Sequence, residues 1–222
     1  MTQKQFNAYF DHTLLKAQAT ESQIKKLCEE AKEYGFHSVA VNPCFIKMCK
    51  TLLKDSGVKV LTVVGFPLGA ATIESKVFET KDAISKGADE IDYVLNVGKL
   101  KDGDLSYIKE EMQKIATVCK ENGAECKVIL ENCYLTDDEK IKACEIAKEV
   151  RPDFVKTSTG FGTGCATACD VKLMKQTVGD LVKVKAAGGV RDLKTALLMI
   201  ENGADRIGCS GSVEIANEFK QN

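Results

Sequence analysis

Gly87-Ala88-Asp89-Glu90-Ile91 and Gly203-Ala204-Asp205-Arg206-Ile207 repeat one phrase, Gly-Ala-Asp-x-Ile, in two distant parts of the chain. Each copy follows an amphipathic helical pattern and opens an apolar run, as though one helix, turn and strand unit were reused. Glycine at such a boundary supplies the left-handed residue that ends a helix. The same stop stands at Gly35 and at Asn122-Gly123. Helix starts are equally legible. Thr20 with Gln23, and Thr136 with Glu139, have the spacing of capping boxes ahead of the apolar faces that begin at Ile24 and Ile141.

Working outward from the repeat, eight strands are predicted: Tyr9 to Leu15, Ser38 to Val41, Lys59 to Val64, Glu90 to Val97, Cys126 to Glu131, Asp153 to Ser158, Val182 to Ala186 and Arg206 to Ser210. Strands that alternate with helices demand a parallel sheet with crossover connections. Eight such units in 222 residues predict an α/β fold, a single (β/α)8 TIM barrel occupying residues 1–222 as one domain. An open doubly wound sheet is disfavoured because no GxGxxG follows the first strand.

Composition narrows the function. Lys and Arg total 31 against 32 Asp and Glu, a net charge of -1, which argues against nucleic acid or anionic membrane as partner. Every apolar run is interrupted by a charge, so no membrane span is expected. The opening MTQKQFNAYF has no apolar signal segment, and a reducing, cytoplasmic location follows. The ten cysteines are then expected as free thiols. With no CxxC and two histidines, His12 and His37, neither a metal nor another cofactor is expected.

A barrel of this kind carries its site at the C-terminal strand ends. There the sequence places Asp11, Asn42, Gly65, Asp92 with Asn96, Glu131, Lys156, Lys185 and Ser210. In Phe154-Val155-Lys156-Thr157-Ser158 an ammonium interrupts a buried strand. Such a group either pairs with a carboxylate or loses its proton. The next strand, Leu181-Val182-Lys183-Val184-Lys185, brings a second lysine alongside it. Alternation does not choose between Lys183 and Lys185, but height favours Lys185. Like charges so placed favour a free amine, which imine formation needs. Asp92 is the candidate acid and base, or alternatively a structural partner of Lys185. Asp11 is expected on the substrate side and, like Glu131, could orient the lysines. Ala186-Ala187-Gly188-Gly189-Val190-Arg191-Asp192 and Gly208-Cys209-Ser210-Gly211-Ser212 form two glycine-rich turns after the seventh and eighth strands, a pairing suited to phosphate. A phosphosugar isomerase or a noncatalytic phosphate-binding barrel would share those turns without needing paired lysines.

These residues resemble the 2-deoxyribose-5-phosphate aldolase family of class I aldolases. The resemblance rests on Asp11-His12-Thr13-Leu14-Leu15, Val41-Asn42-Pro43, Gly65-Phe66-Pro67-Leu68-Gly69, Glu90-Ile91-Asp92, Val155-Lys156-Thr157-Ser158-Thr159-Gly160 and Val184-Lys185-Ala186-Ala187-Gly188-Gly189-Val190-Arg191, which span nearly the whole chain in order. It implies reversible cleavage of 2-deoxy-D-ribose 5-phosphate to acetaldehyde and D-glyceraldehyde 3-phosphate without a cofactor. Lys156 would form the imine, Lys185 would lower its pKa, and Asp92 would relay protons. Gly160, Gly188, Gly189, Gly208 and Ser210 would receive the phosphate. Partners would be small phosphorylated sugars and aldehydes, with a homodimer as the expected assembly. Two departures stand out. Ala40 replaces a cysteine of many relatives, and the ending Phe219-Lys220-Gln221-Asn222 lacks a tyrosine-bearing tail, so no tail-assisted phosphate closure is expected.

Overall fold

The computed structural model describes residues 1–221. The last residue of the tail, Asn222, lies outside them. Eight parallel strands close in chain order: β1 (Phe10–Leu14), β2 (Ser38–Val41), β3 (Lys59–Val64), β4 (Glu90–Val94), β5 (Glu125–Ile129), β6 (Phe154–Lys156), β7 (Lys183–Ala187) and β8 (Arg206–Cys209), with β8 pairing back onto β1. Around them run α1 (Gln3–Asn7), α2 (Glu21–Tyr34), α3 (Ile46–Leu52), α4 (Ile73–Ser85), α5 (Val97–Lys101), α6 (Leu105–Glu121), α7 (Asp137–Val150), α8 (Ala168–Val178), α9 (Leu193–Glu201) and α10 (Ser212–Gln221). The expected TIM barrel is the observed fold. None of these helices is long and apolar enough to cross a membrane.

The Gly-Ala-Asp phrase has a mechanical role at the N-terminal end of the barrel. Asp89 donates its N–H to the Val60 carbonyl and accepts the Val60 N–H on Oδ2 at 2.9 Å. Asp205 does the same to Val184, with the same distance from N to Oδ2. Asp153, outside the repeated phrase, performs the identical double contact on Cys126. Each aspartate therefore seals the start of one strand against the strand before it, satisfying an amide that the sheet ladder leaves over.

Strand alternation sorts chemistry between two layers. Val39, Val60, Ile91, Tyr93, Val128, Val155, Val184 and Ile207 point outward and join the apolar core shared with Ile24, Ile108, Met112 and Val171 of the helices. The inward positions carry charge. Asp11, Glu90, Asp92, Lys127, Lys156, Lys185 and Arg206 are all buried. Parallel register sets Asp92 beside Lys127, Lys156 beside Lys185, and Lys185 beside Arg206. On this inward side opposite signs meet across strands, which offsets the cost of burying charge.

Both predicted capping boxes form, at Thr20 with Gln23 and Thr136 with Glu139. Several strands end earlier than expected. The fourth stops at Val94 because Asn96 caps α5, accepting the Lys99 N–H. The fifth stops at Ile129, and Glu131 turns into the left-handed region. The sixth keeps only three residues, Phe154–Lys156. Short α1 is an element that periodicity does not reveal. Phe6 on it stacks on Phe219 of α10 at 4.0 Å and meets Phe10 edge-on at 5.1 Å.

Replacing Asp205 by Ala leaves the Val184 amide without its acceptor, which costs about 1–3 kcal/mol. A lowered urea midpoint with unchanged turnover is the expected result. An unchanged midpoint would deny the sealing role.

Candidate active site

At the C-terminal end of the barrel a cavity of about 330 Å³ opens to solvent. Lys156 lies on its floor, and Thr13, Leu14, Leu15, Lys16 and Ala40 form one wall. Thr159, Gly160, Phe161, Ala187, Gly188, Gly189, Val190, Arg191, Gly208, Cys209 and Ser210 complete the lining. Two of the three expected catalytic residues lie below that floor. Lys185 is fully buried, its chain lying against Gly208, and Asp92 has no exposed surface. Lys183 is exposed near the opposite end, with Nζ 5.2 Å from the Phe154 ring centre.

Asp92 Oδ2 accepts from Lys156 Nζ at 2.7 Å and from Lys185 Nζ at 2.8 Å. Its Oδ1 lies 3.2 Å from Lys127 Nζ. Three ammonium groups thus surround one carboxylate. Burial by itself would raise the Asp92 carboxyl, yet Lys156, Lys185 and Lys127 outweigh burial and hold it well below the usual carboxylate range. Lys156 moves the other way and is lowered to about 8. Burial is the largest cause, Asp92 opposes it, and the neighbouring Lys185 charge adds to it. At pH 7 roughly one Lys156 in ten is then a free amine, against about one in 2,500 at the ordinary lysine value.

Below this layer lies another that the sequence reading overlooked. Lys127 Nζ contacts Glu90 Oε2 at 2.5 Å, and Glu90 Oε1 faces His37 Nε2 at 2.7 Å. Arg206 donates to Asp11 Oδ1 at 3.0 Å and stands 3.6 Å from Glu90. Lys127 is held above the ordinary lysine value: burial works against its charge, but Glu90, Asp92 and Asp11 prevail. A signal was present, since Lys127, Glu90 and Arg206 are charges set into strands that are mostly apolar.

Two expectations need correcting. Asp11 does not border the cavity; it is buried beneath it, 2.5 Å from Lys185 Nζ and hydrogen bonded to Ser38 and Arg206. Its place in the lower half of β1 puts both carboxylate oxygens among cations and away from substrate. Glu131 orients no lysine. It accepts instead from the Thr159 N–H and hydroxyl.

The five residues expected on the phosphate side, Gly160, Gly188, Gly189, Gly208 and Ser210, all line the cavity. Gly188 and Gly189 adopt φ of 82° and 77°, conformations suited to glycine, and turn their backbone toward the cavity. The first amides of the following helix α9 are already occupied, Leu193 by Glu218 and Thr195 by Asp192. The turn after β8 lines the cavity through Gly208, Cys209 and Ser210. His37, Glu90 and Glu125 bring candidate ligand atoms within 4.8 Å of one another at the other end. That set does not suit a metal, because Lys127 and Arg206 already neutralise Glu90.

A family model described as DeoC/LacD family aldolase matches residues 6–219. The chain belongs to this aldolase family. A deoxyribose-phosphate aldolase of Thermoanaerobacter pseudethanolicus is 59% identical over 212 residues, covering 95% of each chain. One of Lactobacillus acidophilus is 56% identical over 215 residues, 97% of this chain and 91% of its own. Among solved structures, a deoxyribose phosphate aldolase from Aeropyrum pernix, described as tetrameric, superimposes with a TM-score of 0.92 at 32% identity, covering 99% of this chain and 92% of its own. The aldolase therefore has buried lysines at β6 and β7 on a barrel its relatives share.

The electrostatics set the pH dependence of the aldolase. Below the Lys156 value of about 8 the amine is protonated, so kcat/KM is expected to rise about tenfold per pH unit and bend near 8. Lys185→Leu removes a charge that lowers Lys156, so the bend moves to higher pH and activity at pH 7 falls. A bend that stays in place would separate Lys185 from the activation of Lys156.

Proposed function

We propose that this aldolase reversibly cleaves 2-deoxy-D-ribose 5-phosphate to acetaldehyde and D-glyceraldehyde 3-phosphate, with Lys156 as the imine-forming residue. The observation that carries the assignment is a single buried lysine on the cavity floor, shifted toward the free amine and flanked by two glycine-rich turns. The substrate name is that of the closely similar relatives.

The Lys156 amine adds to the C1 aldehyde of the open-chain sugar, and loss of water leaves a protonated imine. That cation draws electrons from the C2–C3 bond as the C3 hydroxyl gives up its proton. The bond breaks, C3 leaves as the aldehyde of D-glyceraldehyde 3-phosphate, and C2 remains in a neutral enamine on Lys156. Protonation at C2 and hydrolysis then release acetaldehyde and restore the amine. Asp92 serves the proton transfers, holding Lys156 Nζ directly and reaching carbon through water. Lys185 keeps the amine from holding its proton. Gly160, Gly188, Gly189, Gly208 and Ser210 surround the phosphate end, with Arg191 at the rim. Backbone amides suit this task, because they offer donors without adding charge.

Residues 1–222 act as one catalytic unit. A cytoplasmic setting agrees with ten free cysteines. Homodimer formation agrees with the paired exposure of Leu197 and Leu198 on α9.

Incubation with acetaldehyde and borohydride, followed by digestion and mass spectrometry, is expected to find a reduced two-carbon adduct on Lys156. Folded protein without an adduct, or with the adduct on Lys185 alone, would overturn the assignment.

A further inference from the structure

Glu131 stands where its charge and its backbone are both costly. It is buried, and it adopts φ 57° and ψ 62°, a region that non-glycine residues rarely occupy. Its contacts among the described residues are to neutral groups. The Thr159 N–H donates to Oε1 at 3.1 Å and the Thr159 hydroxyl donates to Oε2. Thr159 Oγ1 in turn accepts the Phe161 N–H at 3.0 Å. The clamp is close, since a Cβ on Gly162 would lie 3.2 Å from Glu131 Cδ.

At its other end the same loop is tied to the phosphate turn, where the Ala166 N–H donates to the Gly188 carbonyl at 3.2 Å. Gly160 lies between the two ties. Its φ is 85°, and its Cα is among the nearest neighbours of the position where a Gly188 side chain would begin. The Thr159 N–H and hydroxyl converge on Glu131, joined by the Cys133 thiol at 4.0 Å, so a group that only accepts fits them. A carboxylate meets that need, whereas an amide of the same shape turns one donor against another. Both oxygens of the carboxylate are engaged by Thr159, so its charge is spent on the loop.

We propose that Glu131 is a positioning residue for phosphate recognition. It clamps Thr159 and Phe161, and so holds the Gly160 amide in place beside Gly188 and Gly189. The proposal rests on the phosphate reading given above.

Two variants separate the clamp from the fold. Glu131→Gln keeps size and one acceptor, while Glu131→Gly accommodates the left-handed backbone and removes the clamp. In both, kcat/KM for 2-deoxyribose 5-phosphate is expected to fall about tenfold, the scale of one lost charged hydrogen bond. The value for unphosphorylated 2-deoxyribose should stay within about twofold, and inhibition by inorganic phosphate should weaken in parallel, because the clamp acts only on the anion. The pH bend and borohydride trapping of acetaldehyde on Lys156 should not move. Thr159→Val should reproduce the loss, and the double variant should add little to it. Equal loss on both sugars, or a shifted bend, would overturn the proposal in favour of a role in folding or chemistry. No loss on either sugar, while wild type still prefers the phosphorylated one, would show that the clamp is dispensable. A wild type without that preference would overturn the phosphate reading itself, and this proposal with it.

Discussion

One carboxylate, Asp92, lies within 3.2 Å of three lysine Nζ atoms in the interior of the barrel. The rest of the site depends on that contact. Without Asp92, three buried ammonium groups would face one another with little to offset repulsion and lost hydration. Four inward cations, Lys127, Lys156, Lys185 and Arg206, meet three carboxylates, Asp11, Glu90 and Asp92. The interior therefore holds one positive charge more than it can match. Lys156 is the one of these four cations that borders the cavity, and its value is lowered to about 8, chiefly by burial, with the neighbouring Lys185 charge adding to it.

The two-layer arrangement explains why so polar an interior is compatible with a stable barrel. Cohesion comes from the outward side chains of the strands packed against the helices, an apolar shell that is continuous around the molecule. The inward side is thus free to be specialised. Its lower charges lock the strand register, through Lys127 with Glu90 and Arg206 with Asp11. Its upper charges shape reactivity. The aspartates at the strand starts complete the frame by occupying amides that the ladder leaves over.

The cavity adds a second division of labour. One buried lysine borders the cavity floor, while the loop residues that line the cavity belong to three different strand ends. Loops of that kind are only as precise as their anchors. Glu131 and the Gly188 carbonyl anchor the loop after β6 at its two ends, which links the geometry of β5 to the glycine-rich side of the cavity.

Much of this was already written in the chain. The Gly-Ala-Asp repeat, the capping threonines and the glycine stops determine eight strand and helix units, because each is a local backbone requirement. Lys156 and Lys185 stand out for the same local reason, as charges within apolar strands. The strand ends were less legible, since a cap such as Asn96 or a left-handed residue such as Glu131 competes with the ladder only when the neighbouring strand is in place. Tertiary structure alone decided which charges meet. Asp92 and Lys185 are 93 positions apart, and Asp11 and Arg206 are 195 apart. The register of a closed barrel brings them into contact, and in a low-dielectric interior those contacts decide which lysine is left with a free amine.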